Sequence, residues 1–200
     1  MQKTSFKKGS LEVVCGSMFS GKSEELIRRL RRAKIAQKPT IVFKPLIDTR
    51  RGIDHVTTHA GNRIEAIAVE NALQIIERLP HNIEVVGIDE AQLFSHELIS
   101  VVFDLVDAGK HVIIAGLTLD FRGVPFGSMP TFMALADKVT ALNAICIICG
   151  EEATFTQRIV NGNPARYDDP IIQVGGEECY QARCRNCFII DKNPLWQKTL

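Results

Sequence analysis

Short apolar runs alternate with amphipathic stretches along most of the chain. Leu11-Glu12-Val13-Val14-Cys15 predicts a strand. Ser23 to Ala36 carries Leu26, Ile27, Leu30 and Ala33 at the spacing of one helix face. Pro39 closes that helix region, and Thr40-Ile41-Val42-Phe43-Lys44 predicts a second strand. Pro45 then opens a polar loop with Asp48, Arg50, Arg51, Asp54, His55 and His59, bracketed by Gly52 and Gly61. Arg63 to Val69 predicts a third strand, and Leu73, Ile76 and Leu79 mark a helix stopped by Pro80. Ile83 to Ile88 is strand-like, and Ser95 to Asp107 is helical with Leu98, Val102 and Leu105 on one face and Gly109 at its end. His111 to Leu117 predicts another core strand. Asp120 to Pro130 is a loop rich in Phe, Gly and Pro that holds Phe121, Phe126 and Met129. Thr131 to Ala136 predicts a short helix and Lys138 to Ala144 a last strand. Such alternation predicts an α/β fold: a parallel sheet with helices on both faces.

From Cys146 the character changes. Cys146-x-x-Cys149 is answered by Cys184-x-x-Cys187, the spacing of two knuckles that bind one tetrahedral Zn²⁺. Four thiolates leave no open position for water or substrate, so the zinc is read as structural. Cys15 and Cys179 fall outside the array and read as plain small residues. Between the knuckles, Gln157 to Gly176 is rich in Asn, Gly, Pro and Asp and reads as a long loop, the kind used as a lid or binding loop. Two units follow: residues 1–144 as a nucleotide-binding α/β domain and 145–200 as a small zinc-binding domain.

Candidate chemistry centres on Gly16-Ser17-Met18-Phe19-Ser20-Gly21-Lys22-Ser23. Gly, four residues and Gly-Lys-Ser, set between a strand and a helix, is the P-loop pattern. The glycines let backbone N–H groups converge on phosphate, Lys22 is placed to reach the β- and γ-phosphates, and the Ser23 hydroxyl to coordinate Mg²⁺. The helix N-terminus adds its dipole. Asp89-Glu90 closes a buried strand, where a P-loop fold places its Mg²⁺-associated carboxylate. Glu90 can then accept a proton from a nucleophile approaching the γ-phosphate. The aromatics of the 120–130 loop either wall a ligand pocket or cover the core edge, and the residues leave both open.

Composition narrows the classes. The chain has 200 residues, 46% of them hydrophobic and 24% charged, the balance of a soluble globular protein. Its net charge of +1 gives no field inviting nucleic acid or anionic membrane. The first ten residues are polar and basic, and the apolar run after them is too short for a signal peptide, so a cytoplasmic setting is expected. There the cysteines serve as thiols or metal ligands rather than disulfides. Arg28, Arg29, Arg31, Arg32 and Lys34 cluster on the first helix and read as a solvated basic face.

Several of these motifs, taken in order, resemble the type II thymidine kinases. The likeness runs from about Leu11 to Cys187. It rests on the P-loop octet, Phe43-Lys44-Pro45 with Asp48 and Arg50, Asp89-Glu90-Ala91-Gln92, Phe121-Arg122-Gly123, Pro125-Phe126-Gly127, the two cysteine pairs, and Val174-Gly175-Gly176 followed by Tyr180. The resemblance implies a RecA-like sheet and transfer of the ATP γ-phosphate to the 5′-hydroxyl of thymidine, and of deoxyuridine, giving dTMP for DNA synthesis in nucleotide salvage. It places Gly16 to Ser23 and Asp89 to Gln92 at ATP, Ser23 and Asp89 at Mg²⁺, and Glu90 as the base. Met18, Leu117, Phe121, Phe126, Thr156 and Tyr180 would surround thymine and sugar. The stretch from about Thr156 to Val174 resembles the family's lasso loop, with Ile171, Ile172, Gln173, Val174 and Gly175 at the base edge. Arg50 would neutralise charge in the transition state. A homotetramer and feedback inhibition by dTTP are implied as well.

Two positions depart from the family pattern: Thr118 stands where Asp is usual and Leu93 where Phe is usual. Both are expected near the thymidine pocket. Two other functions compete: a RecA-like ATPase in which Glu90 activates water, and a zinc-ribbon nucleic-acid binder that would use the cysteines and the first helix's arginines.

Overall fold

The computed structural model describes residues 8–48, 55–57, 63–173, 175–176 and 178–191. In chain order the elements are β1 (Ser10–Gly16), α1 (Lys22–Ile35), β2 (Thr40–Pro45), β3 (His55–Thr57), β4 (Arg63–Glu65), β5 (Ile67–Val69), α2 (Leu73–Glu77) and β6 (Val85–Ile88). A 3₁₀ turn at Ala91–Leu93 precedes α3 (Glu97–Asp107), β7 (His111–Leu117), α4 (Met129–Leu135) and β8 (Lys138–Leu142). The remaining strands are β9 (Ala144–Ile145), β10 (Glu152–Ala153), β11 (Phe155–Val160), β12 (Asn163–Pro164) and β13 (Tyr180–Arg183).

Six strands form one sheet in the order β5-β2-β6-β7-β1-β8, every pair parallel. Successive residues of each central strand enter opposite cores, as the pleat requires. Leu11, Val13 and Cys15 pack with Phe43, Val86, Ile88, Val112 and Ile114 under α2, α3 and α4. Val14, Val42, Val85, Ile113 and Ala115 face the other way, against Leu26, Ile27 and Leu30 of α1. This is the expected parallel α/β sheet with helices on both faces. β7 lies between the P-loop strand β1 and the Asp89-bearing strand β6, so both carboxyl ends open on one edge.

Several local expectations change. Arg63 to Val69 is not one strand: β4 pairs with β3 in a separate hairpin, and β5 joins the main sheet beyond Ala66. His55 therefore belongs to a strand rather than a loop, while His59 lies outside the described residues. α2 buries Ile75, and the expected facing pair Leu73 and Ile76 is exposed. Its single short turn sits on the sheet by Ala72 and Ile75, which local periodicity does not reveal. Met129 opens α4 instead of lying in the preceding loop. Gln157 to Val160 continues β11, which pairs with both β12 and β13, so the expected long loop is shortened at its start.

The basic helix is well partnered. Arg29 bonds Glu25 on its own helix, Glu12 of β1 and Thr140 of β8, while Arg28 pairs with Glu25. Among the described residues no helix is long and apolar enough to cross a membrane.

Candidate active site

The turn after β1 is shaped by close backbone approach. A Cβ on Gly16 would meet the Leu142 carbonyl oxygen at 2.2 Å and Ser20 Oγ at 2.7 Å, so only glycine fits. Gly21 caps α1 at φ 84°, and Phe19, unusually for a side-chain-bearing residue, also lies at φ 65°. Lys22 Nζ donates to the Ser17 carbonyl at 2.6 Å, and Ser20 Oγ donates to the same oxygen at 2.9 Å. The turn is tied to the C-terminal part of the chain: Ser17 Oγ donates to the Ala153 carbonyl at 3.0 Å, and the Met18 N–H to Thr156 Oγ1 at 3.0 Å.

Across from it, Asp89 is buried at the end of β6. Its Oδ2 accepts from Ser23 Oγ at 3.3 Å and its Oδ1 from the Glu90 N–H at 3.0 Å. Burial, then the charges of Glu90 and Asp48, push its carboxyl up to about 7. Asp48 in turn pairs with buried Lys44 at 3.1 Å. Crowded hard oxygen donors with surplus negative charge are the set a Mg²⁺ ion takes, so Ser23 and Asp89 fit that ion.

Glu90 sits at φ 50°, ψ 41°, a left-handed conformation costly for a residue with a side chain. Gln92 holds it: its Nε2 donates to Glu90 Oε2, and its Oε1 accepts the Leu117 N–H at 2.9 Å. A neighbouring cleft encloses about 520 Å³ including its open mouth. It is lined by Met18, Leu117, Phe121 and Phe126 together with Glu90, Gln92, Thr156 and Tyr180. Ile171, Ile172, Gln173 and Gly175, termed its roof, complete the lining, and Tyr180 Oη donates to the Gln173 carbonyl at 2.6 Å. Val174 and Arg50 lie outside the described residues. Gln92, grouped by sequence with the phosphate residues, faces this cleft.

Leu93, expected near the pocket, lines the cleft, and so do Leu119 and Asp120, which sequence reasoning did not name. For Asp120 the available signal was its place just before Phe121-Arg122-Gly123. Thr118 is not among the lining residues; its backbone N–H donates to the Gly16 carbonyl at 3.2 Å and its carbonyl accepts the Phe126 N–H at 3.1 Å. Another residue missed by sequence is Arg158, only 1% exposed despite its charge, with its guanidinium 3.5 Å above the Phe121 ring.

The four paired cysteines gather at the far side of this module. Their Sγ atoms all lie within 4.8 Å of one another, and Cys149 and Cys184 are 3.5 Å apart. A tetrahedral ion with Zn–S bonds of about 2.3 Å needs sulfurs roughly 3.8 Å apart, so the cluster fits a metal ion. Burial pushes the Cys146 thiol up, but backbone N–H groups of Cys184, Cys149 and Ile148 outweigh it and hold it at about 6. The neighbouring thiols of Cys184 and Cys149 raise Cys187 to about 12. Cys15 and Cys179 stay outside the cluster.

Fold and site together define a P-loop α/β protein with a roofed, small-molecule-sized cleft beside its phosphate loop. The family model described as thymidine kinase matches residues 9–188. A curated thymidine kinase of Coprothermobacter proteolyticus is 58% identical over 176 residues, 88% of each chain. The chain belongs to the thymidine kinase family, the enzymes that phosphorylate thymidine with ATP.

Proposed function

We propose that the cleft binds thymidine with its 5′-hydroxyl toward Glu90, and that the loop from Gly16 to Ser23 holds the ATP phosphates. The hydroxyl oxygen attacks the γ-phosphorus, its proton passes to a Glu90 carboxylate oxygen, and the β–γ bridging oxygen leaves with ADP. Mg²⁺, held by Ser23 and Asp89, supplies charge neutralisation at the phosphates when bound. Lys22, now on the Ser17 carbonyl, swings to the β- and γ-phosphates. Arg50 is assigned to charge neutralisation as well. The observation that carries this reading is the shared wall: Met18 belongs to the phosphate loop and lines the same cleft as Glu90.

In this reading the ion in the cysteine cluster is structural Zn²⁺, and residues 145–200 form a lasso domain that covers the base on the 1–144 domain. The backbone of residues 171–175 offers donors and acceptors to the pyrimidine edge, which suits deoxyuridine as well as thymidine. A thymine nucleotide such as dTTP occupies the same cleft as a feedback inhibitor, and the chain assembles as a cytoplasmic homotetramer.

The test is ATP-dependent phosphorylation of thymidine, deoxyuridine, deoxycytidine and deoxyguanosine by wild type and Glu90→Gln. Turnover of thymidine and deoxyuridine alone, with Glu90→Gln still binding ATP but losing at least about a hundredfold in kcat, is expected. Near-normal turnover in Glu90→Gln removes the base assignment. ATP hydrolysis unaffected by any nucleoside would favour the water-activating alternative.

A further inference from the structure

Two arginines on different elements grip the segment that leads into the cleft's roof. Arg158 of β11 is almost fully buried beneath it. Its guanidinium stacks on Phe121 at 3.5 Å, its Nη1 donates to the Pro170 carbonyl, and its Nη2 lies 3.8 Å from Asp169 Oδ2. Arg122, aligned by two bonds to buried Asp120, stacks on the Tyr167 ring at 5.1 Å. Asp169 also accepts the Arg166 N–H at 2.9 Å, so the turn is internally braced. Both grips converge on one short turn, Asp120-Phe121-Arg122, whose Asp120 and Phe121 line the cleft. Directly after the gripped residues come Ile171 to Gln173, part of the roof.

We infer that Arg158 and Arg122 form a two-point latch that sets the fraction of molecules whose roof is closed, and through it the affinity for nucleoside. This rests on the proposed thymidine site. The contacts of the latch run to Phe121 and Asp120 on one side and to Tyr167, Asp169 and Pro170 on the other. The contact of the Arg122 guanidinium, on a side chain 20% exposed, with the Tyr167 face is weak enough to open and strong enough to bias an equilibrium. When a competent state is populated only in part, apparent affinity falls by that fraction, while saturating ligand still draws the whole population closed. Weakening the latch therefore raises KM for thymidine and leaves kcat and KM for ATP nearly unchanged. Arg122 and Tyr167 are positioning residues in this scheme.

The decisive variant is Tyr167→Leu, because Tyr167 is half-exposed and its loss spares the core. Tyr167→Phe keeps the ring and removes only the hydroxyl. Tyr167→Leu and Arg122→Met are expected to raise KM for thymidine about tenfold with kcat within about threefold of wild type, and Tyr167→Phe to restore the wild-type KM. Arg158→Lys, which keeps the charge but loses the planar stack, is expected to act in the same direction. An unchanged thymidine KM in Tyr167→Leu overturns the latch, as does a Tyr167→Phe variant as impaired as Tyr167→Leu. The thymidine site itself fails separately, when the wild type turns over no nucleoside.

Discussion

Gln92→Leu is the sharpest probe of how Glu90, the proposed base, is held. Gln92 is 3% exposed and makes two bonds with different consequences. Its Oε1 satisfies the Leu117 N–H at 2.9 Å, and leaving a buried N–H unpaired costs about 1–3 kcal/mol. Leucine returns part of this by packing near Met129, which with the Gln92 amide crowds Gly116, so a net loss of roughly 1–2 kcal/mol and a Tm lower by about 2–8 °C are expected. The other bond runs from Nε2 to the Glu90 carboxylate, on a backbone already in a left-handed conformation. A hydrogen bond to a charged group is worth about 1.5–3 kcal/mol. Released from it, Glu90 samples other rotamers, and kcat falls about ten- to a hundredfold, each tenfold being about 1.4 kcal/mol. Steady-state kinetics with thymidine at saturating ATP, beside thermal unfolding, measures both. In a Glu90→Gln background the same substitution should change kcat little, because the group it positions is already gone. Equal losses in both backgrounds, or a lowered Tm with unchanged kcat, would refute positioning of Glu90 by Gln92.

Two further outcomes are expected. Removing the metal with a chelator should lower Tm and raise the thymidine KM. β11 carries Thr156, its partner β13 runs directly into Cys184, and the P-loop is bonded to Thr156, so the cluster braces the cleft; an unchanged Tm after verified metal loss would contradict a structural ion. Glu25 is held down at about 2 by the Arg28 hydrogen bond, with Arg29 adding to it against the opposing effect of burial. A carboxylate with a depressed folded pKa stabilises above its unfolded value near 4.5 and loses that contribution as pH falls through about 2. Glu25→Gln should therefore be less stable by roughly 0.5–1 kcal/mol at neutral pH, with the gap closing between pH 4.5 and 2 in urea titrations; a gap independent of pH would rule out the ion pairs as its source.

Much of the site was legible locally because its chemistry is written in short spacings. Eight residues from Gly16 to Ser23 specify the phosphate loop through glycine geometry and one lysine. Asp89-Glu90 at the end of an apolar run reads as a strand tip, and Cys-x-x-Cys pairs read as ligands. Buried parallel strands are nearly continuous Val and Ile runs, so β1, β2, β6 and β7 were visible within a residue or two. The short elements were not. α2 has five residues, too few for a periodic face, and whether Ile75 or Ile76 turns inward is settled by contact with the sheet. Ala66 separates β4 from β5 because each finds a different partner strand.

What the sequence by itself determined, then, was the class of fold, the phosphate loop, the two strand-end acids and the cysteine array. Each depends on residues a few positions apart, whose relative geometry the backbone dictates. Only the tertiary structure decided that Gln92 braces Glu90, that Thr118 does not line the cleft, and that Arg158 is buried on Phe121. The same holds for the cleft itself, since one of its ties, Met18 to Thr156, joins residues 138 positions apart. Such pairings arise from the packing of whole elements against one another, and no local pattern of apolar and polar residues encodes which distant side chain will arrive.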